Sequence, residues 1–325
     1  MLAIGYIRID EWMAMHPFRF GVSARGLDGP ENWATLAQRV EALGYDTFSV
    51  ADHLVDGLLP PFVALATAAA ATERVRLGTL VLNNDLRHPT MTAREAAALD
   101  VLCGGRVELG LGAGHSRPEY EQIGLPFDDA TTRVARLEES AAVVNRLLRG
   151  ESVTFEGAHY QLSEHTLWPP PSQQKLPLLI GGNGRRLLRL AAREADIVGF
   201  TGMGRTLEDG QRHEPTGFGP AAVAERVALV RSEAGDRLAD VEFHALVQSV
   251  VVTEDRETEA ASMTERLAPL TAEEILGSPF LLVGTEDQIS EELRAHRERF
   301  GFSYFTVFEK DYEALAPIAM ALTGT

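Results

Sequence analysis

GGRVELGLGAGHSRPEY, residues 104–120, holds the glycine pattern that separates a dinucleotide-binding sheet from other α/β folds. An apolar run ends in glycines at alternate positions, Gly110, Gly112 and Gly114, with His115 immediately after. A dinucleotide-binding turn spells G-x-G-x-x-G, opens a helix at once, and is followed about 20 residues on by an acidic ribose ligand. Here the sixth position is His115, and HSRPEYEQIGLPFDD reads as loop, with Pro118, Pro126 and two aspartates. The dinucleotide reading therefore fails. RVELGLG (106–112) reads instead as a buried strand. Glycines at such a strand's end let a flat ring come close to the backbone, which His115 would address from the side.

The same kind of run recurs along the chain. FRFGVSA (18–24), DTFSVAD (46–52) and RVRLGTLVL (74–82) precede it, and PLLIGG (177–182), ADIVGF (195–200), FHALVQSVVV (243–252) and YFTVF (304–308) follow. Helical patterns lie between them, such as Trp33, Leu36, Ala37, Val40 and Leu43 closed by Gly44. Pro89 suits the first turn of a helix after the third strand. Eight strands separated by helices predict an α/β protein of the (β/α)8 TIM-barrel type, with a doubly wound sheet as the alternative. The predicted organisation is an N-terminal extension over 1–17 (Met13 and Met15 being equally good starts) and one barrel domain over 18–325. Insertions are expected after strands four and six, at about 151–176 and 201–220, where periodicity gives way to Gly, Pro and polar residues.

Composition narrows the classes of function. The 325 residues are 45% hydrophobic and 24% charged, with no apolar run near the roughly 18–20 residues of a membrane span and no secretory signal pattern. A net charge of −17 argues against nucleic acid and anionic membranes as partners. The single cysteine, Cys103, excludes an intramolecular disulfide and a cysteine-built metal cluster, and its place at the end of an apolar helix suits a buried, inert thiol. No metal site is expected. These bounds describe a cytoplasmic protein with a small-molecule partner.

In a (β/α)8 barrel the chemistry sits at the C-terminal strand ends. Strand two ends in Asp52-His53, a carboxylate beside an imidazole that can relay a proton near neutral pH, or simply a turn cap beside a surface residue. Strand three ends in Asn83, Asn84 and Asp85, with Arg87 and His88 beyond; as turn formers the first three are equally compatible with an ordinary loop. Strand five closes in Gly181, Gly182, Asn183 and Gly184 and opens a helix directly with Arg185, Arg186 and Arg189 beside it. Free N–H groups at a helix N-terminus attract phosphate, which points to an anionic cofactor; a glycine-rich turn with solvated arginines is the plain alternative. Phe200, Trp168 and Phe218 are candidates to line the entrance; ordinary loop packing is the alternative, and the better one for Trp168.

In this order FGVSARG, YDTFSVADHL, RVRLGTLVLNN with RHPT, ALDVLCGGRVELGLGAG, PLLIGGNG and LVGTEDQISEELRAHRERFGFSYFTVFE resemble the luciferase-like flavin and deazaflavin oxidoreductase superfamily. The likeness covers nearly all the chain after Phe18 and is most specific over Leu99–Gly114. Within the superfamily it is most similar to the actinobacterial branch assigned to coenzyme F-420, the 5-deazaflavin that transfers hydride. The resemblance implies a barrel with the ring in the mouth and the phosphate tail along strands four and five. It also implies a non-prolyl cis peptide at Leu80-Val81, in a bulge backing the ring, and homodimers formed through the helices after strands two and three. In the related sugar-phosphate dehydrogenases the Asp-His doublet serves cofactor binding and base chemistry, which maps to Asp52 and His53. Those enzymes follow the strand-four glycines with a glutamate that acts as acid; this sequence departs there with His115.

The expectation is an F-420-dependent oxidoreductase acting on a small organic substrate, with His53 and then His115 as acid/base. Asp52, Leu80, Val81, Asn83, Gly112, Ala113 and Gly114 are expected about the ring, and Gly181, Gly182, Asn183, Gly184 and Arg185 about the phosphate. Two rivals remain: an FMN-dependent monooxygenase fed by a separate reductase, and a non-catalytic flavin-binding protein.

Overall fold

The computed structural model describes residues 3–4, 7–8, 16–25, 32–54, 58–204, 206–207 and 213–325. Short runs buried on nearly every residue form eight strands: β1 Arg19–Ala24, β2 Thr47–Val50, β3 Arg76–Thr79, β4 Val107–Gly112, β5 Leu178–Gly181, β6 Ile197–Phe200, β7 Glu242–Val247 and β8 Phe302–Phe308. Each pairs in parallel with the next, and β8 returns to β1, so the sheet closes and no edge is left. The expected (β/α)8 barrel is what the chain forms.

The helices covering the barrel begin where the sequence supplies donors with a partner or needs none. Asn32 caps α1 (Trp33–Ala42), accepting from Thr35 N–H at 2.9 Å. Prolines take the first turn of α2 (Pro61–Ala71) and α3 (Pro89–Leu102). A six-residue helix, α4 (Arg117–Gln122), precedes α5 (Ala130–Leu148), which Asp129 caps. Then follow α6 (Arg185–Glu194), α7 (Pro220–Ala234), α8 (Glu286–Phe300) and α9 (Tyr312–Leu322). Thr285 and Gln288 form a capping box on α8, and Gly301 closes it at a φ of +87°, the left-handed conformation a helix end uses. Among the described residues no helix is long and apolar enough to cross a membrane.

Side-chain parity along the strands separates two cores. Phe200, Phe243 and Phe302 interlock between sheet and helices, with ring centroids 5.3–6.5 Å apart. Leu179, Ile197 and Tyr304 fill the barrel interior with Leu80 and Val81. The N-terminal end of the barrel is sealed by charge: Arg19 donates to Glu108 at 2.7 Å and to Glu242 at 2.6 Å, and Arg76 donates to Glu108 at 2.6 Å. Burial opposes the charge on Glu108, but Arg19 and Arg76 hold its carboxyl below the ordinary range. With that end closed, the opposite end is left for ligands.

Several sequence expectations need correction. The run 74–82 is not one strand: β3 stops at Thr79, and a short strand at Leu82–Asn83 resumes against β4. The run 243–252 is two strands, because Ser249–Val252 leaves the barrel and pairs with Leu281–Gly284. HSRPEYEQIGLPFDD contains α4, whose first turn accommodates Pro118. The segment 151–176 carries an antiparallel hairpin, Val153–Glu156 with Gln161–His165. Within 201–220, an isolated bridge joins Thr206 and His213 and a 3-10 turn spans Pro215–Gly217; residues 205 and 208–212 lie outside the described residues. Phe200 and Phe218 do not line an entrance. Ile197 faces the barrel interior, so Phe200, three residues on, faces the helices, and Phe218 packs on Phe280.

Candidate active site

The register between β3 and β4 explains the alternate glycines. Gly78 pairs with Glu108 but Leu82 with Leu111, so three residues, 79–81, stand opposite two, 109–110. The extra residue makes a β-bulge, and the Leu80-Val81 peptide within it is cis. The bulge presses into β4 where β4 has no side chains. A Cβ on Gly110 would lie 2.0 Å from Thr79 O, and one on Gly112 would lie 2.6 Å from Val81 Cγ2. Gly181 on β5 also faces Val81: a Cβ there would lie 3.2 Å from its Cγ1. Gly110 and Gly112 thus make room for the bulge, and the bulge, rather than the bare glycines, presents Leu80 and Val81 to the barrel interior. Gly114 is different. Its φ is +73°, and a Cβ there would sit 2.1 Å from the Tyr120 hydroxyl.

Three strand ends meet at α4. Glu119 Oε1 lies 2.8 Å from His53 Nδ1, and Glu119 Oε2 accepts from Leu54 N–H at 2.8 Å. Burial opposes the charge on Glu119, yet the bonds from Leu54 and His53 hold its carboxyl below the usual range. The next residue, Tyr120, places its hydroxyl 2.9 Å from Asn83 Oδ1 and 3.0 Å from Asp85 Oδ2. Burial, with Asp85 alongside, pushes that hydroxyl above its ordinary range, so it stays a neutral donor. Asp52 is almost fully enclosed: Arg87 pairs with it, and Asn83 N–H donates to its Oδ2 at 3.1 Å.

Imidazoles line the mouth in a row. His115 stands between His53, centroid distance 5.2 Å, and His213 from the loop after β6, at 5.0 Å. Burial, reinforced by His53 and His213, pushes His115 down to about 4, so at neutral pH its ring is uncharged. Among the described residues no three His, Cys, Asp or Glu side chains are grouped so as to hold a metal ion.

The second cluster follows β5. Gly182 N–H donates to Gly199 O at 3.0 Å, and the Gly182 Cα faces Leu187, with a Cβ there only 2.0 Å from its Cδ2. Asn183 is tied to Thr201, donating from Nδ2 at 2.5 Å. Gly184 is the N-cap of α6, with no side-chain cap and open space around it. The first-turn N–H groups of α6 are therefore uncapped. Arg185 pairs with Glu225 at 2.7 Å, and Arg186 donates to Glu138 at 2.5 Å, both at the surface.

The structure thus gathers His53, His115, Asp52, Asn83 and Gly112–Gly114 about one bulge, with Gly181 linking them to the α6 cluster through Val81. Sequence reasoning missed Glu119, Tyr120 and His213. Pro118 followed by Glu119 was the available signal for α4, since proline and acidic residues favour a helix's first turn; His213 sits in a stretch with no periodicity to place it.

A family model described as luciferase-like monooxygenase matches residues 12–304. Among curated relatives, F-420-dependent glucose-6-phosphate dehydrogenases from Microbacterium testaceum and Nakamurella multipartita are 37% and 38% identical over 188 and 192 residues. Those matches cover 55% and 57% of this chain and 55% and 56% of the relatives, so the chain spans about half the length of the curated relatives it matches. Two solved structures share the fold across 94% of the chain. The F-420-dependent tetrahydromethanopterin reductase of Methanopyrus kandleri has a TM-score of 0.72 at 19% identity, with 98% of it covered. An F-420-dependent secondary alcohol dehydrogenase has a TM-score of 0.73 at 18%, with 99% covered. With the family pattern running through all eight strands up to Tyr304, the chain belongs to the luciferase-like monooxygenase family.

Proposed function

We propose that the protein is an F-420-dependent oxidoreductase that moves a hydride between the coenzyme and a small organic substrate. The observation that carries this reading is the carboxylate-anchored imidazole, His53 on Glu119, set at the barrel mouth beside a bulge that gives the ring a backing. The curated relatives named for F-420-dependent dehydrogenases support it. The residues fit the group: uncapped N–H groups at α6, with open space at Gly184, suit its phosphate, and Leu80 and Val81 suit its flat ring.

When bound, the deazaflavin supplies a carbon centre that accepts or donates hydride. The chain's part is proton handling and alignment. With Nδ1 engaged by Glu119, His53 presents Nε2 to the substrate; as a substrate C–H leaves with its electron pair, Nε2 takes the adjacent O–H proton. His115, held neutral, serves as a hydrogen-bonding wall beside it rather than as a second acid at neutral pH. Asp52 does not reach for the ring edge in this reading; it fixes Asn83 and hence the bulge. Gly181–Gly184 and Arg185 hold the phosphate, Arg185 exchanging Glu225 for it. Titration of the purified protein with oxidised coenzyme F-420 tests the reading: saturable quenching of coenzyme fluorescence is expected, and none through the high micromolar range overturns it.

The partner proposed for the outer surface is a second copy. Val63 on α2 and Leu102 on α3 are 66% and 78% exposed and flank one shallow apolar groove with Phe62, Ala66 and Ala98. Exposed apolar groups concentrated on two adjacent helices mark an interface. Leu102→Glu is expected to halve the mass seen by sedimentation; a wild-type protein already monomeric at micromolar concentration would contradict the assignment.

A further inference from the structure

Resting on the reading of His53 as the proton acceptor, we infer that Glu119 is the positioning residue that sets its tautomer. Three groups face Glu119 as donors: the Leu54 N–H, the Ser116 hydroxyl and the His53 ring. Leu54 N–H has no other option, and it occupies Oε2 at 2.8 Å. His53 Nδ1 lies 2.8 Å from the remaining oxygen of a buried carboxylate held in its ionised form. An ionised carboxylate only accepts, so Nδ1 carries a proton, and of the two tautomers of the neutral ring the one selected leaves Nε2 with its lone pair. A partner on one ring nitrogen is the usual way a protein fixes what the other can do.

The carboxylate also grips the backbone one residue past the imidazole, so ring and main chain are held together. Its own position is fixed by its neighbour in α4, since Tyr120 bonds Asn83 and Asp85 and closes against Gly114. One turn of helix therefore aligns the base on β2 with the bulge after β3 and the glycine end of β4. The titratable groups around His53 are consistent with this. Glu119 is its partner, and Asp52 is turned to Arg87. His115 faces it at 5.2 Å, with His213 on the far side of His115.

Glu119→Gln separates positioning from packing. A carboxamide has one acceptor oxygen, which Leu54 N–H requires; its NH2 then meets Nδ1 and forces that nitrogen to accept, moving the proton to Nε2. Long-range 1H–15N correlation on histidine-labelled protein reads this directly, without coenzyme or substrate, the His53 signals being identified by their loss in His53→Gln. The wild type is expected to show Nδ1–H, and Glu119→Gln to show Nε2–H, with kcat/KM lower by about 10²-fold or more, as wrong-tautomer histidines behave elsewhere. Glu119→Asp, which keeps two acceptors, is expected to restore the wild-type tautomer and part of the rate. Nε2–H in the wild type, or one tautomer in wild type and Glu119→Gln alike, overturns the inference. If instead the tautomer switches while no F-420 turnover is found with any substrate, the inference about Glu119 stands and the coenzyme reading fails.

Discussion

Alanine in place of His53 is expected to lower kcat/KM for hydride transfer by about 10²–10⁴-fold, the span a positioned general base contributes. The His53 imidazole has its Nδ1 anchored on a carboxylate and its Nε2 thereby free for substrate, on a side chain that remains one-third exposed. Its removal leaves Glu119 bonded to Leu54 N–H, so the fold and the coenzyme affinity should change much less than the rate. Steady-state kinetics with a matched coenzyme titration check the split. An alanine variant as active as the wild type would remove His53 from the chemistry. His115→Ala should cost less, because an imidazole held near a pKa of about 4 is uncharged at neutral pH and offers hydrogen bonding rather than proton exchange.

The second large effect is on architecture. Gly110→Ala sets a methyl 2.0 Å from Thr79 O, a main-chain atom that cannot swing aside, and 3.0 Å from Val81 Cγ1. Overpacking of a well-filled core costs about 1–3 kcal/mol and sometimes more, and a clash with backbone belongs at the upper end. The bulge would have to move, and the wall it offers the ring with it. Gly110→Ala should therefore lower the urea midpoint at unchanged slope and abolish coenzyme binding in whatever fraction still folds. Gly184→Ala, with open space around it and an ordinary φ of −70°, should stay within about 0.5 kcal/mol of wild type. A Gly110→Ala protein with the wild-type midpoint would refute the close approach.

These two residues mark what was and was not legible in the sequence. Buried parallel strands read as near-continuous apolar runs, so LLIG, IVGF and VELGLG announced themselves, and counting eight of them was enough for the barrel. His53 and His115 were found because strand ends are where such barrels do chemistry. The bulge after β3 was legible only through the family resemblance, since its register depends on glycines thirty residues away rather than on its own composition. Glu119 and Tyr120 were invisible as partners because Pro118 reads as a breaker in a loop and as a first-turn residue in a helix, and only the fold brings Glu119 to a histidine 66 positions earlier. Phe200, a candidate by its place at a strand end, faces the other way: strands alternate faces, and Ile197 has taken the inner one.

If the coenzyme is F-420, the mouth must prefer the deazaflavin ring over the flavin ring, and equilibrium competition between coenzyme F-420 and FMN measures that preference. The two rings have nearly the same outline, so binding of either alone decides little. F-420 fluorescence is expected to quench saturably, and equimolar FMN to leave the F-420 isotherm nearly unmoved. FMN binding that F-420 fails to displace would contradict it and make the protein a flavin monooxygenase awaiting its reductase.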